Sequence, residues 1–396
     1  MPDFRPFRGI RYDPEGVWLE DVTAPPYDVI DAEQRAELAA RSPYNIVALD
    51  VPTSDEEYEQ SAQVLAEWLK MGVLLRDDEP SFYVYRMGFK DEAGRAHQTS
   101  GILGALELMA PGEGDVLPHE QTTAKAKSDR LQLLRASDAN LSPVWGLSMA
   151  QGLSGFAELP GPPIARWTDD DGVHHRLYRI TEPGTVEAIS QAVGSAPVVI
   201  ADGHHRYETS LQYRREWRAA HGDVASAHDA TLAFVVELAE DQLFVRAIHR
   251  LIAGLPDGFD LLAALTEWFE PYDAGPLTPS ILTRMVDAGA LALVRADQPV
   301  MLLRPRQERF TEVPDLDSAR LQTALTSVPH DISFQHGVDN VARAIERGEA
   351  QAAVLLRPVP VTTIMSTARA GGLMPPKSTF FAPKPRTGVV LRLLDD

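Results

Sequence analysis

Residues 198–207 read Val-Val-Ile-Ala-Asp-Gly-His-His-Arg-Tyr, and this stretch decides how the chain is to be read. The apolar β-branched run predicts a buried strand over 197–201, Asp202-Gly203 predicts a turn, and the segment after that turn predicts a helix over about 205–221. A strand that ends in a glycine turn and opens a helix aims several backbone N–H groups at one spot. The positive end of the helix points there too, which suits an anion. Arg206, His204 and His205 add charge-assisted donors. Asp202 sits badly with a bare phosphate, so it points to a bridging cation such as Mg²⁺ or to a polar substrate group that needs an acceptor. A plain Asp helix cap is the competing reading. Three basic side chains in a row at a helix start favour binding over capping. The adjacent His204 and His205 cannot both face one metal from a regular helix, which argues against a zinc pair.

The chain supplies its own control. Residues 169–179, "DDDGVHHRLYR", repeat the Asp-Gly pair and the His174-His175-Arg176 run. Here Asp-Gly falls at a predicted hairpin turn and the basic run alternates faces along a strand, with no helix terminus on offer. This copy is read as structural or solvent-facing. The strand–turn–helix setting therefore carries the signal, and the composition does not.

Two further stretches carry chemistry. In "LPHEQTTAKAKSDR" (117–130), Glu120 follows Pro118 and His119 in a loop, where a carboxylate can serve as a general base. Thr122, Thr123, Lys125, Lys127 and Arg130 offer hydroxyls and cations for phosphates; a solvated basic helix start is the bland alternative. In "LMPPKSTFFAPKPRTGVVL" (373–391), two prolines fix the approach to Lys377, Ser378 and Thr379, and Phe380 and Phe381 are placed to wall a pocket. Its alternative is a strand rim packed by aromatics.

The surrounding chain alternates helical and strand patterns. A helix is expected from Asp55 to Met71, a hairpin turning at 91–94, a helix over the last ten residues of 116–137, strands in "LSPVWGLSM" and around the 169–179 turn, and a helix near 185–194. "ATLAFVVELAE" (230–240) and "LFVRAIHRLIAGL" (243–255) read as paired strands. Helices are expected near 259–269 and 278–288, and strands in "LALVRAD", "PVMLLRP" and "AAVLLRP". The order is mixed, so the expected class is α/β or α+β with a mixed sheet. Soft cuts near 110 and 260 give an N-terminal α/β region (1–110), a central catalytic core (111–260) and a C-terminal α/β region (261–396) that lends its Pro-Lys-Ser-Thr segment to the site.

With 396 residues and 44% apolar composition, two or three domains, or one core with large elaborations, are expected. Its formal charge of −20 disfavours a nucleic-acid or anionic-membrane surface, which needs a basic face. The chain has no cysteine, which removes disulfides, thiolate zinc sites and a cysteine nucleophile, and fits a reducing compartment. No apolar leader or eighteen-residue apolar run is seen, so a cytoplasmic protein is expected. Only six of the 37 basic residues are lysines, and four of those (Lys125, Lys127, Lys377, Lys384) fall in the chemistry-bearing stretches. Ammonium and guanidinium do different work on phosphate. The Walker phosphate loop, the protein-kinase loop set and the H-E-x-x-H zinc helix are missing from the sequence.

Taken in order, Pro118-His119-Glu120-Gln121, Asp202 to Arg206, and Pro376-Lys377-Ser378-Thr379 resemble the motifs of free-serine kinases of the ParB/sulfiredoxin-like superfamily. Those enzymes phosphorylate L-serine to O-phosphoserine. "RPFRGIRYDP", "APPYDVI", "SPYNIV" and "MPPKSTFF" make the whole chain look like a large bacterial family related to those kinases. The resemblance implies a ParB/sulfiredoxin-like core. It implies Glu120 as the catalytic carboxylate that takes the serine hydroxyl proton, and Asp202 as a second catalytic carboxylate and Mg²⁺ or serine ligand. Gly203, His204, His205 and Arg206, with Thr122 and Lys127, would hold phosphate or nucleotide. His119, Lys377, Ser378 and Thr379 would lie on the substrate side. Such positioning and charge stabilisation is what phosphoryl transfer requires. This chain is longer, with a larger insertion between Glu120 and the turn, and the donor stays open among ATP, ADP and pyrophosphate. Sulfiredoxin chemistry is excluded by the missing cysteine. A nucleotide-binding regulator using the same pocket, and a phosphatase or metal-dependent hydrolase, are the other classes; a DNA-partition role fits an acidic chain poorly.

Overall fold

The computed structural model describes residues 1–91, 94–118, 126–158, 161–278, 280–372, 374–375 and 377–395. The chain divides into two compact units. Unit 1 comprises Met1–Phe244, Met365–Leu373 and Pro383–Asp396, and unit 2 comprises Val245–Ile364 and Met374–Ala382.

The deciding stretch folds as its pattern requires, because Val198–Asp202 is a strand and His204–His221 is a helix. In unit 1 the main sheet has nine strands among the described residues: β1 (Phe4–Arg5), β2 (Phe82–Lys90), β3 (Ala96–Glu107), β4 (Val116–Pro118), β5 (Val144–Ser148), β6 (Ala165–Thr168), β7 (His174–Ile180), β8 (Val198–Asp202) and β9 (Ala230–Glu237). Their spatial order is β4-β8-β5-β9-β3-β2-β7-β6, with β1 added on β3. β8 runs parallel to β4 and antiparallel to β5, while β9 runs parallel to β5 and antiparallel to β3. The sheet is mixed, as the order of elements in the sequence led one to expect.

Central strands buried on both faces lose the alternation of a half-exposed strand. β9 is buried over seven consecutive residues and β8 over its first four, which is why both read as plain apolar runs. One face is packed by Phe4, Phe82, Ile102, Val144, Val198 and Ile200, together with Ile189 from α3 (Pro183–Gly194) and Tyr207 and Leu211 from α4 (His204–His221). At about 1.5–3 kcal/mol for each large apolar side chain removed from water, this cluster fixes how α4 lies on the sheet. β3 contains "SGILG", too loose to be a nucleophile elbow, and its Gly104 has a packing reason. A Cβ there would stand 2.4 Å from the Phe4 ring.

Two helices bear on the site. α1 (Asp55–Lys70) is capped by Ser54, whose hydroxyl accepts from the Glu57 N–H. α2 (Ala126–Ser137) packs between α1 and α4.

Unit 2 has an all-antiparallel six-stranded sheet among its described residues. Its strands are β10 (Ile248–Ala253), β11 (Phe269–Asp273), β12 (Leu291–Val294), β13 (Met301–Pro305), β14 (Asp331–His336) and β15 (Ala352–Leu355), in the order β11-β13-β12-β15-β10-β14. Ala292 and Val294 join the core on one face, and Leu291 and Leu293 join the core on the other.

Two sequence expectations are corrected. Segments 230–240 and 243–255 do not pair. β9 lies between β5 and β3, so both its edges are taken, and β10 pairs with β14 and β15 in unit 2. The expected helix near 259–269 is confined to Leu261–Leu265, and Phe269–Asp273 is a strand paired with β13. There the buried Phe269 packs against Phe310 as a strand residue, so tertiary contact outweighs helical pattern. No helix among the described residues is long and apolar enough to cross a membrane.

Candidate functional site

The site is built where β8 ends. Between Ile200 and Asp202 the pairing with β5 shifts register, and Asp202 is the last strand residue, opposite Trp145. Gly203 then takes the left-handed conformation at φ 84°, a position that costs a side-chain-bearing residue. It opens α4 and, being glycine, brings no side chain of its own to cap that helix start. The first-turn N–H groups are thereby presented as a donor cluster at the positive end of an 18-residue helix.

The Asp202 carboxylate lies in this turn between two cations. Arg206 Nη2 donates to its Oδ2 at 2.8 Å, and Lys384 Nζ stands 2.9 Å from its Oδ1. Arg206 also donates from Nη1 to the Pro143 carbonyl at 2.5 Å, which locks the guanidinium. Burial works against ionisation of Asp202, and Lys384 and Arg206 outweigh it, holding the carboxyl well below the usual range. Lys384 in turn donates to Asp28 Oδ2 at 2.9 Å. Burial disfavours the ammonium, but Asp202 and Asp28 reverse that and raise its pKa.

Asp28 belongs to "APPYDVI", whose prolines lead into a single 3-10 turn over Tyr27–Val29. Its neighbour Tyr27 faces the Arg130 guanidinium 4.1 Å from the ring centroid. Arg130 donates to the Asp50 carbonyl at 2.7 Å and to Asp50 Oδ1 at 3.2 Å, and to Asp129 Oδ2 at 2.7 Å. The guanidinium expected to meet phosphate is thus committed to Asp50 and Asp129. Asp129 also accepts from the Tyr58 hydroxyl of α1.

The expected residues fall in three places. Asp202, Gly203, His204, His205 and Arg206 sit together at the turn, with the two histidines as the first residues of α4. His204 lines a small cavity with Tyr207, Glu208 and Met109, on a side of the helix that His205 does not share. His119, Glu120 and Thr122 lie outside the described residues, and Lys127 is placed in α2 by its backbone alone. Lys377, Ser378 and Thr379 belong to unit 2. There Lys377 takes a left-handed backbone, φ 57°, and its carbonyl accepts from Arg250 Nη2 at 2.9 Å. The Ser378 hydroxyl donates to the Pro375 carbonyl at 2.7 Å and meets Ser318 Oγ at 2.9 Å.

Asp28, Asp50 and Lys384 are the site members that motif reading missed. A signal existed for Lys384, a rare lysine between Pro383 and Pro385, and for Asp28, set by two prolines. Asp50 had none, because it reads as the end of a short apolar helix.

The near-copy at 169–179 is a hairpin of β6 and β7. Its His175 is buried and held between Tyr85 Oη at 2.8 Å and Asp169 Oδ2 at 3.0 Å, while Arg386 Nη1 stands 3.3 Å from the same carboxylate oxygen. Burial lowers the His175 pKa, so the imidazole serves as a neutral hydrogen-bonding wedge within the sheet.

The donor set bears on Mg²⁺. That ion takes oxygen ligands in near-octahedral array. Both Asp202 oxygens are already paired with cations, and among the described residues no group of three or more His, Asp or Glu could hold a metal. These residues do not by themselves fit a magnesium cage; the positive charge at the turn comes from Arg206, Lys384 and the helix terminus.

The chain is similar to several solved structures at low identity. A free serine kinase in complex with AMP is 12% identical, with a TM-score of 0.37, covering 68% of this chain and 84% of that one. SbnI with a C-terminal truncation, from Staphylococcus aureus, is 12% identical at a TM-score of 0.38, covering 72% and 84%. A conserved hypothetical protein from Pyrococcus furiosus is 12% identical at 0.35, covering 68% and 87%. No curated protein matches the chain. The family described as protein of unknown function (DUF1015) matches residues 4–325, which is most of the sequence, and the chain belongs to that family.

Proposed function

We propose that the chain is a small-molecule phosphotransferase that moves the terminal phosphoryl group of ATP, ADP or pyrophosphate to the hydroxyl of free L-serine. The observation that carries this reading is the start of α4, entered through left-handed Gly203, which has no side chain to cap it, and flanked by Arg206 and Lys384. It gathers backbone donors and two cations around one carboxylate, a setting for a spread negative charge beside a group that can accept a proton or orient a hydroxyl. The three ordered motifs supply the rest. The Gly203–Arg206 turn, with Thr122 and Lys127, receives the donor phosphates, and His119, Lys377, Ser378 and Thr379 serve the substrate side. Glu120 takes the proton from the serine hydroxyl as its oxygen attacks the terminal phosphorus. The bond from that phosphorus to the leaving phosphate oxygen breaks, releasing ADP, AMP or inorganic phosphate according to the donor. Mg²⁺ enters this reading with the donor phosphates, and no step is assigned to it.

The test is purified protein incubated with L-serine and each donor in turn, with phosphoserine read by mass spectrometry. Formation of phosphoserine with at least one donor is expected. Failure with all three removes the reading, and nucleotide binding without any dependence on serine would favour the regulatory alternative.

A further inference from the structure

β14 ends the sheet of unit 2 and pairs only with β10. Its sequence, Asp331-Ile332-Ser333-Phe334-Gln335-His336, runs through unbroken pairing with β10, without a register shift. Among the described residues, no backbone group of Asp331–Gln335 has a partner beyond β10. The N–H and C=O groups that point away from β10 are therefore an unused half-ladder. Residues 331–334 are all exposed, so both faces of the strand are open as well as its edge.

Proteins blunt such an edge with proline, lysine or a bulge, and β14 carries none of these. It presents Ile332 and Phe334 instead, 36% and 45% exposed and on one face. Every other exposed large apolar side chain among the described residues stands alone in its stretch of chain, which is ordinary for a surface. The pair on β14 continues a core: Ile252, opposite Ile332, is fully buried in the cluster that also holds Val354 and Leu293. An apolar face thus runs from the interior of unit 2 out to an unpaired edge. The Arg250 guanidinium lies 4.7 Å from the Phe334 ring centroid and orders that ring in advance of any contact.

We propose that β14 is the contact through which two copies of this chain associate, edge to edge, about a two-fold axis at Ser333. A two-fold normal to the sheet makes the two strands antiparallel and keeps each face on its own side. It sets Ile332 opposite the second copy's Phe334, Phe334 opposite its Ile332, and Asp331 opposite its Gln335. Apolar then meets apolar, and the acidic residue of the strand meets an amide that can donate to it, with no carboxylate facing another. An axis between two residues is forbidden, because it would oppose side chains from different faces. An axis at Phe334 would set Ile332 against the second copy's His336, whose carbonyl already accepts from Asn340 Nδ2 at 2.9 Å. A single strand edge covers less than the roughly 1,200 Å² of a standard interface, so the association is weak and reversible. Chains of formal charge −20 repel at long range, so added salt strengthens it.

Analytical ultracentrifugation of the full chain from about 5 to about 500 μM, at low and high salt, tests the contact. A reversible monomer–dimer equilibrium is expected, with the dimer fraction larger at high salt. Ile332→Lys and Phe334→Glu are each expected to raise the dimer dissociation constant at least tenfold, since each sets a charge against an apolar side chain twice per dimer. An equimolar mixture of the two variants is expected to recover that tenfold. In the mixed dimer the introduced ammonium and carboxylate oppose each other, and one Ile332–Phe334 pair is kept. Both positions are exposed, and unchanged thermal unfolding checks that the variants fold; where Phe334→Glu loses unit 2, Ile332→Lys decides. A wild type that stays monomeric throughout overturns the proposal and leaves the edge to an extended segment of a different protein. A dimer that both variants leave unchanged overturns it as well, and variants that stay monomeric when mixed overturn the pairing about Ser333.

Discussion

Lys384 Nζ stands 2.9 Å from Asp202 Oδ1, and the same ammonium stands 2.9 Å from Asp28 Oδ2. A buried cation between two acids cannot be removed quietly, because Asp28 and Asp202 then lose the ammonium they share and Asp202 keeps Arg206 alone of its two cations. Lys384→Met is expected to lower stability by about 2–3 kcal/mol, scaled down from the fully buried case because Asp28 is partly exposed. Urea denaturation followed by circular dichroism reads this; a loss below about 0.5 kcal/mol, the range of ordinary surface substitutions, would show that the bridge is decorative.

The same cluster sets where pH does not matter. Asp202 has a depressed pKa, so its contribution is present above the unfolded carboxylate value and is lost as pH falls through the folded one. Lys384 has a raised pKa, so its contribution is present below the unfolded lysine value and is lost as pH rises through the folded one. Neither titrates near neutrality.

His249 of unit 2 makes stability depend on pH on the acid side of neutrality. It is 2% exposed and accepts the Leu356 N–H on Nδ1 at 3.2 Å, which requires the neutral ring. Burial, then His336 and Arg250, push its pKa from 6.5 down to about 4. Between those values the unfolded chain binds the extra proton, so stability rises with pH and is lost as pH falls from about 7 to about 4. The maximum effect is ~3 kcal/mol. Denaturation midpoints measured across this window should fall with acidity, and His249→Gln should flatten the slope. An equally steep slope in the variant would assign the acid sensitivity to another group.

At Gly203, φ is 84° and an added Cβ would stand 3.0 Å from the Arg206 guanidinium. Gly203→Ala therefore combines left-handed strain of about 1–2 kcal/mol with displacement of the side chain that holds Asp202. Calorimetry with ADP is expected to show at least tenfold weaker binding, beyond what a matched loss of stability at another site produces.

The two Asp-Gly-containing His-His-Arg segments make a paired experiment. Asp169→Asn weakens the support of buried Arg386 and His175 and should cost on the order of 2–3 kcal/mol while leaving ADP affinity as in the wild type. Asp202→Asn should instead abolish phosphoserine formation. Identical profiles for the two variants would erase the distinction drawn between strand and helix settings.

Glu120→Gln removes the proposed base at nearly constant shape. A fall in kcat of roughly 10²–10⁴ is expected from loss of general-base assistance. Retained activity would leave the reaction standing and discard the mechanism.

What the sequence revealed and what it concealed differ by range. The strand, turn and helix around Asp202 were legible because periodicity, glycine and helix start agree within twenty residues, and the hairpin of the near-copy was legible for the same reason. The partners of β9 were not. A fully buried strand shows no alternation, so its neighbours are chosen by sheet order, to which local pattern is blind. Asp28, Asp50 and Lys384 meet their partners across long stretches of chain, and an isolated acid or lysine carries no mark of the ion pair it will enter. Rarity of lysine and enclosing prolines flagged Lys384 as unusual; they did not name Asp202 as its target.

Unit 1 is completed by Pro383–Asp396, after the chain has passed through unit 2. Synthesis runs from the N-terminus, so the Asp202 turn leaves the ribosome with Asp28 already made and Lys384 still untranslated. Until Lys384 emerges, the two acids have no ammonium between them. A nascent chain that has not reached Lys384 therefore holds the turn with its Asp202–Arg206 pair and without the bridge to Asp28.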